Sequence, residues 1–184
     1  MTTSMINLVI ELIKMVNEIV NFHYGQVVDF VVSKRDERYR SLDPTFFWKY
    51  HVGLCHDYAN GVCWWLCQHG FQSVCNTVLA NWQCTVLYTK YEFISERGNN
   101  HVNYHAMPIF KLFNRFYVVE GSWKDDRALG LHEFNSIEEI VETLEQLTDK
   151  LLLEYNLTRI SAYEYWVAIP KFEGGLTREQ LLAH

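Results

Sequence analysis

Proline is scarce in this chain, with Pro44, Pro108 and Pro170 the only three in 184 residues. No proline-rich linker divides it, and no internal repeat or low-complexity tract is visible. A positive excess is also missing. The net charge is −6, which excludes a general nucleic-acid binder, since phosphate backbones require a positive surface. The one basic cluster, Lys34, Arg35, Arg38 and Arg40, is interrupted by Asp36 and Glu37 and reads as a solvated turn. No Cys-x2-Cys turn occurs. The five cysteines, Cys55, Cys63, Cys67, Cys75 and Cys84, are odd in number and crowded, which argues against a disulfide framework. Reduced thiols and a cytoplasmic location are expected.

An uncharged membrane span is lacking as well. The most apolar stretch, Met5 to Phe22, is broken by Asn7, Glu11, Lys14, Glu18 and Asn21. Those spacings place a narrow polar stripe on an otherwise apolar helix, so no membrane crossing is expected. No basic n-region or small-residue cleavage site precedes it, so no signal peptide is expected. The helix is predicted over about 5–24 and packs on the core; a homo-oligomer contact through it is the sharper alternative.

What is present is a core. Apolar residues make up 49% and charged residues 21%, the composition of one globular domain over 1–184. The aromatic share, 15%, supplies core and pocket walls. Residues Val27 to Val32 extend the first helix or form a short strand. Arg35 to Phe47 is expected to be loop, with Asp43-Pro44 as a turn signal. From Cys55 to about His69 the apolar positions Ala59, Val62, Cys63, Leu66 and Cys67 form one helical face, stopped by Gly70. Strands are expected at Val74–Ala80, Thr85–Ile94, His101–Phe113 and Arg115–Val119, the last two joined as an antiparallel hairpin at Asn114. Ser136 to Glu139 is a capping box opening a long helix with Ile140, Val141, Leu144, Leu147 and Leu151. Tyr163–Ile169 is a final strand, completing a helix-and-strand unit over about 136–170. Thr177 to Gln180 is a second capping box for a short C-terminal helix. The fold class is α+β: a helix packed on a mostly antiparallel sheet, flanked by N-terminal and C-terminal helices.

Cys55 opens its helix, where unpaired N–H groups and the dipole favour the thiolate. Gly53 lets the backbone approach a substrate closely, and the Cys55 N–H is placed to help hold an oxyanion. Asp57 in the same turn would oppose the thiolate unless it points away. Two histidines, His101 and His105, compete for the role of base. His105 is favoured, because its hairpin partner ends near Glu120, roughly across from it. A thiol, an imidazole to take its proton and a carboxylate to orient the imidazole are the parts of a nucleophilic cysteine enzyme.

The local sequences Gly53-Leu54-Cys55-His56-Asp57-Tyr58-Ala59, His105-Ala106 and Tyr117-Val118-Val119-Glu120 resemble the transglutaminase-like branch of the papain-type cysteine enzymes. His69-Gly70-Phe71 to Val78 resembles that family's link from nucleophile helix to next strand. The resemblance covers about 48–123, roughly two-fifths of the chain. It implies Cys55 as nucleophile, His105 as general base and acid, and Glu120 as orienting carboxylate. It also implies a peptide or carboxamide substrate, a thioester intermediate and no cofactor. Two departures stand out. Glu replaces the family's Asp, with Asp125 or Asp126 as substitutes, and Tyr88 to Asn100 is longer than a minimal core needs. Trp48, Trp64, Trp65, Trp82 and Trp123 are candidate cleft walls, Trp123 foremost because it follows Glu120.

Two other readings use the same residues. One is a non-enzymatic protein-binding module on the same fold. The other is a zinc site at Cys63, Cys67, His69 and Cys75, or at His101, His105 and Glu120, although the spacing is not that of structural zinc.

Overall fold

A computed structural model of the chain describes residues 3–20, 42–50, 53–121 and 127–172. In chain order the elements are helices α1 (Thr3–Val20), α2 (Pro44–Tyr50) and α3 (Cys55–Gln68), then strands β1 (Gln72–Ser73), β2 (Gln83–Ile94), β3 (Asn100–Leu112), β4 (Arg115–Glu120) and β5 (Gly130–Phe134). Helix α4 (Ile137–Glu154) and strands β6 (Thr158–Arg159) and β7 (Glu164–Ala168) follow. The fold is mixed α+β with a mostly antiparallel sheet. Among the described residues no helix is long and apolar enough to cross a membrane.

The sheet runs β1-β2-β3-β4-β5, with β6 and β7 also paired to β2. Among the described strands only β1 lies parallel to its neighbour. The long β2–β3 ladder runs without interruption from Gln83↔Lys111 to Ile94↔Asn100. β3 turns into β4 through Phe113 and Asn114, both with positive φ (52° and 61°), as a two-residue hairpin with the native strand twist requires. Alternation along the strands then separates two cores. Val86, Ala106, Phe110 and Val119 meet Leu8, Leu12 and Met15 of α1, Phe47 of α2, and Tyr58, Val62 and Leu66 of α3. Leu87, Met107, Ile109 and Val118 meet Ile137, Ile140, Val141 and Leu144 of α4. The sheet is thus covered on both faces, by α1–α3 on one and by α4 on the other.

Helix α3 is pinned in place by close packing. A Cβ on Gly61 would collide with the Phe47 ring. The missing side chain lets α2 lie against α3, and Trp48 Nε1 donates to the Gly61 carbonyl at 2.9 Å. On the sheet side the Tyr58 hydroxyl donates to the Val119 carbonyl at 3.3 Å.

Several local expectations need correction. Asp43-Pro44 is a helix start, not a loop turn: the Asp43 carboxylate accepts the Thr45 N–H at 2.8 Å, and Pro44 sits where a missing N–H costs nothing. Val74–Ala80 contains no strand; the chain pairs earlier, at Gln72 and Ser73. The short strands β5 and β6 had no alternating apolar signal to announce them. Helix α4 starts as expected, with the Ser136 Oγ accepting the Glu139 N–H at 3.1 Å. Its C-terminal turns bury Thr148 and Leu152 more deeply than Leu147 or Leu151. The segment Val27–Val32, the end expected for the first helix near Tyr24-Gly25, and the Thr177–Gln180 capping box lie outside the described residues.

Candidate active site

The first intrahelical bond of α3 is Tyr58 N–H to Leu54 C=O, at 3.0 Å. The N–H of Cys55 precedes it and has no acceptor within the helix. Cys55 therefore sits at the positive end of the helix dipole, half-buried.

The feared opposition from Asp57 does not arise in that form. Its carboxylate is fully buried and turned back on the backbone. Oδ2 accepts the Leu54 N–H at 2.8 Å, and Oδ1 accepts the Leu42 N–H at 2.6 Å. Gly53 makes room for this arrangement. Its φ is +152°, and an added Cβ would lie 2.6 Å from the Asp57 Cβ. The structure thus gives Gly53 a definite local task, that of seating the carboxylate that caps helix α3.

His105 lies on β3, paired with Thr89 of β2. Its Nε2 is 2.7 Å from Glu120 Oε2, with the Glu120 side chain only 3% exposed. The β3–β4 ladder ends at Ile109↔Val118. Continued by two residues, that register places Glu120 opposite Met107 and one diagonal step from His105. The sequence expectation, that His105 lies roughly across from Tyr117 to Glu120, takes the specific form of a diagonal pairing. A diagonal separation is about 7–8 Å between backbones, which the extra methylene of Glu spans. His101 is four residues further along β3, about 13 Å away by strand rise. There its ring stacks on Phe93, with centroids 5.2 Å apart. Trp123, Asp125 and Asp126 lie outside the described residues.

His105 and His56 are the two side chains that act on the ionisation of the Cys55 thiol. Burial is the largest influence on this thiol and resists ionisation. The two imidazole hydrogen bonds, and then their charges, outweigh it and bring the pKa from 9.0 down to about 6. For His105 burial is again the largest influence and favours the neutral ring. The Glu120 charge and the hydrogen bonds to Cys55 and Glu120 prevail and raise it to about 10. Both shifts act in the direction of a thiolate beside an imidazolium. Nε2 is the ring nitrogen that faces Glu120.

Sequence reasoning passed over two features of this site. His56, beside the nucleophile, approaches Asp57 Oδ1 at 3.5 Å with its side chain 21% exposed; the adjacency of Cys, His and Asp was the available signal. Tyr88 is the other. It responds to burial and then to the Cys55 charge, and its ring stacks on Trp166, centroids 5.5 Å apart and 7° from parallel. Trp166 is 41% exposed, whereas Trp48, Trp65 and Trp82 pack on the core.

The other cysteines do not gather with His69 at one point: the Cys84 sulfur approaches the Cys63 carbonyl at 3.9 Å. Cys67 and Cys84 lie with sulfurs 3.9 Å apart. Cys75 donates to the Val167 carbonyl at 3.5 Å. His69 turns back on the Trp65 carbonyl at 2.8 Å. Among the described residues no group of three or more His, Cys, Asp or Glu side chains is arranged to hold a metal ion, which corrects the zinc reading for Cys63, Cys67, His69 and Cys75.

No family model, no curated protein and no solved structure matches this chain.

Proposed function

We propose that this chain is a cysteine-dependent hydrolase or acyltransferase of transglutaminase-like, papain-type design, acting on a peptide or carboxamide bond. The observation that carries the reading is one contact chain. A thiol at a helix N-terminus is acted on by an imidazole whose Nε2 is 2.7 Å from a buried carboxylate. Three side chains from α3, β3 and β4 meet in the order that nucleophilic catalysis uses.

The chemistry follows from the protonation states. The Cys55 thiolate attacks the carbonyl carbon, and the Cys55 N–H helps hold the developing oxyanion. The His105 imidazolium delivers its proton to the leaving nitrogen as the C–N bond breaks. This leaves a thioester and a neutral ring. His105 then takes a proton from water, or from an acceptor amine, as that group attacks the thioester. The C–S bond breaks, and thiolate and imidazolium are restored. Glu120 keeps the ring in place and stabilises its charge throughout. All five cysteines are free thiols, which suits a reducing, cytoplasmic setting.

The test is a screen of peptide and carboxamide acyl donors, with and without an added primary amine, on wild type and Cys55→Ala. Release of ammonia or amine by wild type alone, with a Cys55 thioester trapped by mass spectrometry, is the expected result. Turnover retained in Cys55→Ala would overturn the proposal. Turnover by neither protein would return the chain to the binding-module reading.

A further inference from the structure

The β3–β4 ladder stops where a donor is missing. The two-residue hairpin at Phe113 and Asn114 closes on Leu112↔Arg115, which makes that a hydrogen-bonded pair. Such pairs recur at every second position of an antiparallel ladder. The next is Phe110↔Tyr117, and the one after it would be Pro108 with Val119. The other edge of β3 agrees: the Lys111 carbonyl turns toward β2 and accepts the Trp82 N–H at 2.8 Å. Pro108 has no N–H to give, and pairing ends one residue earlier, at Ile109↔Val118. The Val119 carbonyl is therefore left facing β3 at a fully buried position. Its donor comes from α3 instead, as the Tyr58 hydroxyl at 3.3 Å. Tyr58 is itself buried, and its ring packs edge-on against Phe47, centroids 5.9 Å apart.

This contact joins the two halves of the site. Tyr58 stands about one helical turn after Cys55, and Val119 immediately precedes Glu120, which lies 2.7 Å from His105. A continuous path runs from Cys55 through the first turn of α3, the Tyr58 hydroxyl and the end of β4 to the imidazole. The Asp57 bonds to the Leu42 and Leu54 N–H groups fix that same turn against the chain before it; the Tyr58 bond fixes it against the sheet. We propose that Tyr58 is a positioning residue, which seats the start of α3 on the end of β4 and so sets Cys55 relative to the His105–Glu120 pair. Pro108 reserves the Val119 carbonyl for it by withholding the competing donor. This inference rests on the reading of Cys55 as the nucleophile.

The experiment follows iodoacetamide alkylation of Cys55 against pH, read by peptide mass spectrometry, together with urea unfolding. It compares wild type, Tyr58→Phe, Pro108→Ala and the double variant. Tyr58→Phe keeps the ring and removes the hydroxyl. Its Cys55 midpoint should rise from a low wild-type value by about one pH unit, a roughly tenfold loss of rate below both midpoints. Its urea midpoint should fall, because a buried carbonyl loses its donor. In the double variant the backbone N–H gained at position 108 supplies that donor, so the urea midpoint recovers while the Cys55 midpoint stays raised. Should Tyr58→Phe alone not fold, the double variant is read in its place. A Tyr58→Phe midpoint equal to a low wild-type one overturns this inference and leaves the enzymatic reading standing. So does a Cys55 midpoint that recovers along with stability in the double variant, since the hydroxyl would then only satisfy a carbonyl. Pro108→Ala keeps the hydroxyl and should keep the low midpoint; a rise there matching the double variant assigns the effect to β3 and overturns the inference. A wild-type midpoint already near ~8.5 overturns both readings.

Discussion

Helix α3 carries the same functional group at its two ends and treats it in opposite ways. At the N-terminus, Cys55 is buried enough to resist ionisation, yet two imidazoles bring its pKa down to about 6. One helix length away, Cys67 is held protonated, first by its hydrogen bond with Cys84 and then by burial. Cys84 is pushed up in turn by its hydrogen bond with Cys63. Burial acts in the same direction at both ends. What differs is whether the nearest polar partner can carry a positive charge. A thiol beside a thiol has nowhere to send its proton, whereas a thiol beside an imidazole backed by a carboxylate does. Cys55 and the Cys67–Cys84 pair are separated by about 18 Å of helix, so each is expected to respond to mutation without the other.

The sharpest way to break this comparison is to measure alkylation of all five thiols at neutral pH. Ionisation alone should make Cys55 faster than Cys67 or Cys84 by about 10²-fold or more. Because the Cys55 pKa is lowered, its reactive form should persist as pH falls and be lost only below about 6. Turnover should fall again near pH 10, where His105 loses the proton that the leaving group needs. A rate for Cys55 equal to its neighbours, or a flat pH profile, would erase the distinction.

Glu120→Gln keeps the shape of the side chain and removes the charge that holds His105 protonated. Turnover should drop by roughly 10²-fold, and the upper limb of the pH profile should move to lower pH. Alkylation of Cys67 and Cys84 should not change. Unaltered turnover would show that the 2.7 Å contact has no catalytic consequence.

Asp57→Ala tests whether the reactive end is also a structural anchor. It strips the partner from two backbone N–H groups, those of Leu42 and Leu54, and should cost about 2–4 kcal/mol in urea unfolding. The smallest effect is expected from Cys67→Ser at the inert end. A half-buried position that loses a weak sulfur contact should cost about 1 kcal/mol or less and leave the Cys55 profile superimposable on wild type. A shifted Cys55 profile would mean that the two ends communicate.

Much of this was legible in the residues because it depends on neighbours in the chain. Helix α3, the two long strands, the Phe113-Asn114 hairpin and the Ser136 cap follow from local periodicity and local hydrogen bonding. Helix α2 was misread because Asp-Pro is ambiguous between a turn and a helix start. Only the packing of Phe47 onto Gly61 supplies the reason to continue as helix. Strands β5 and β6 are stabilised by pairing with β4 and β2 rather than by any pattern of their own.

The site divides in the same way. Sequence by itself determined that Cys55 begins a helix, that His105 lies in a strand and that Glu120 ends the next, because each is a matter of local propensity. Tertiary structure decided that β3 and β4 pair in a register leaving Glu120 diagonal to His105, and so within reach as Glu. It also decided that Asp57 faces the backbone instead of the thiol, and that one cysteine meets imidazoles while two others meet each other. Those outcomes depend on distances between segments far apart in the chain, and no local propensity encodes them.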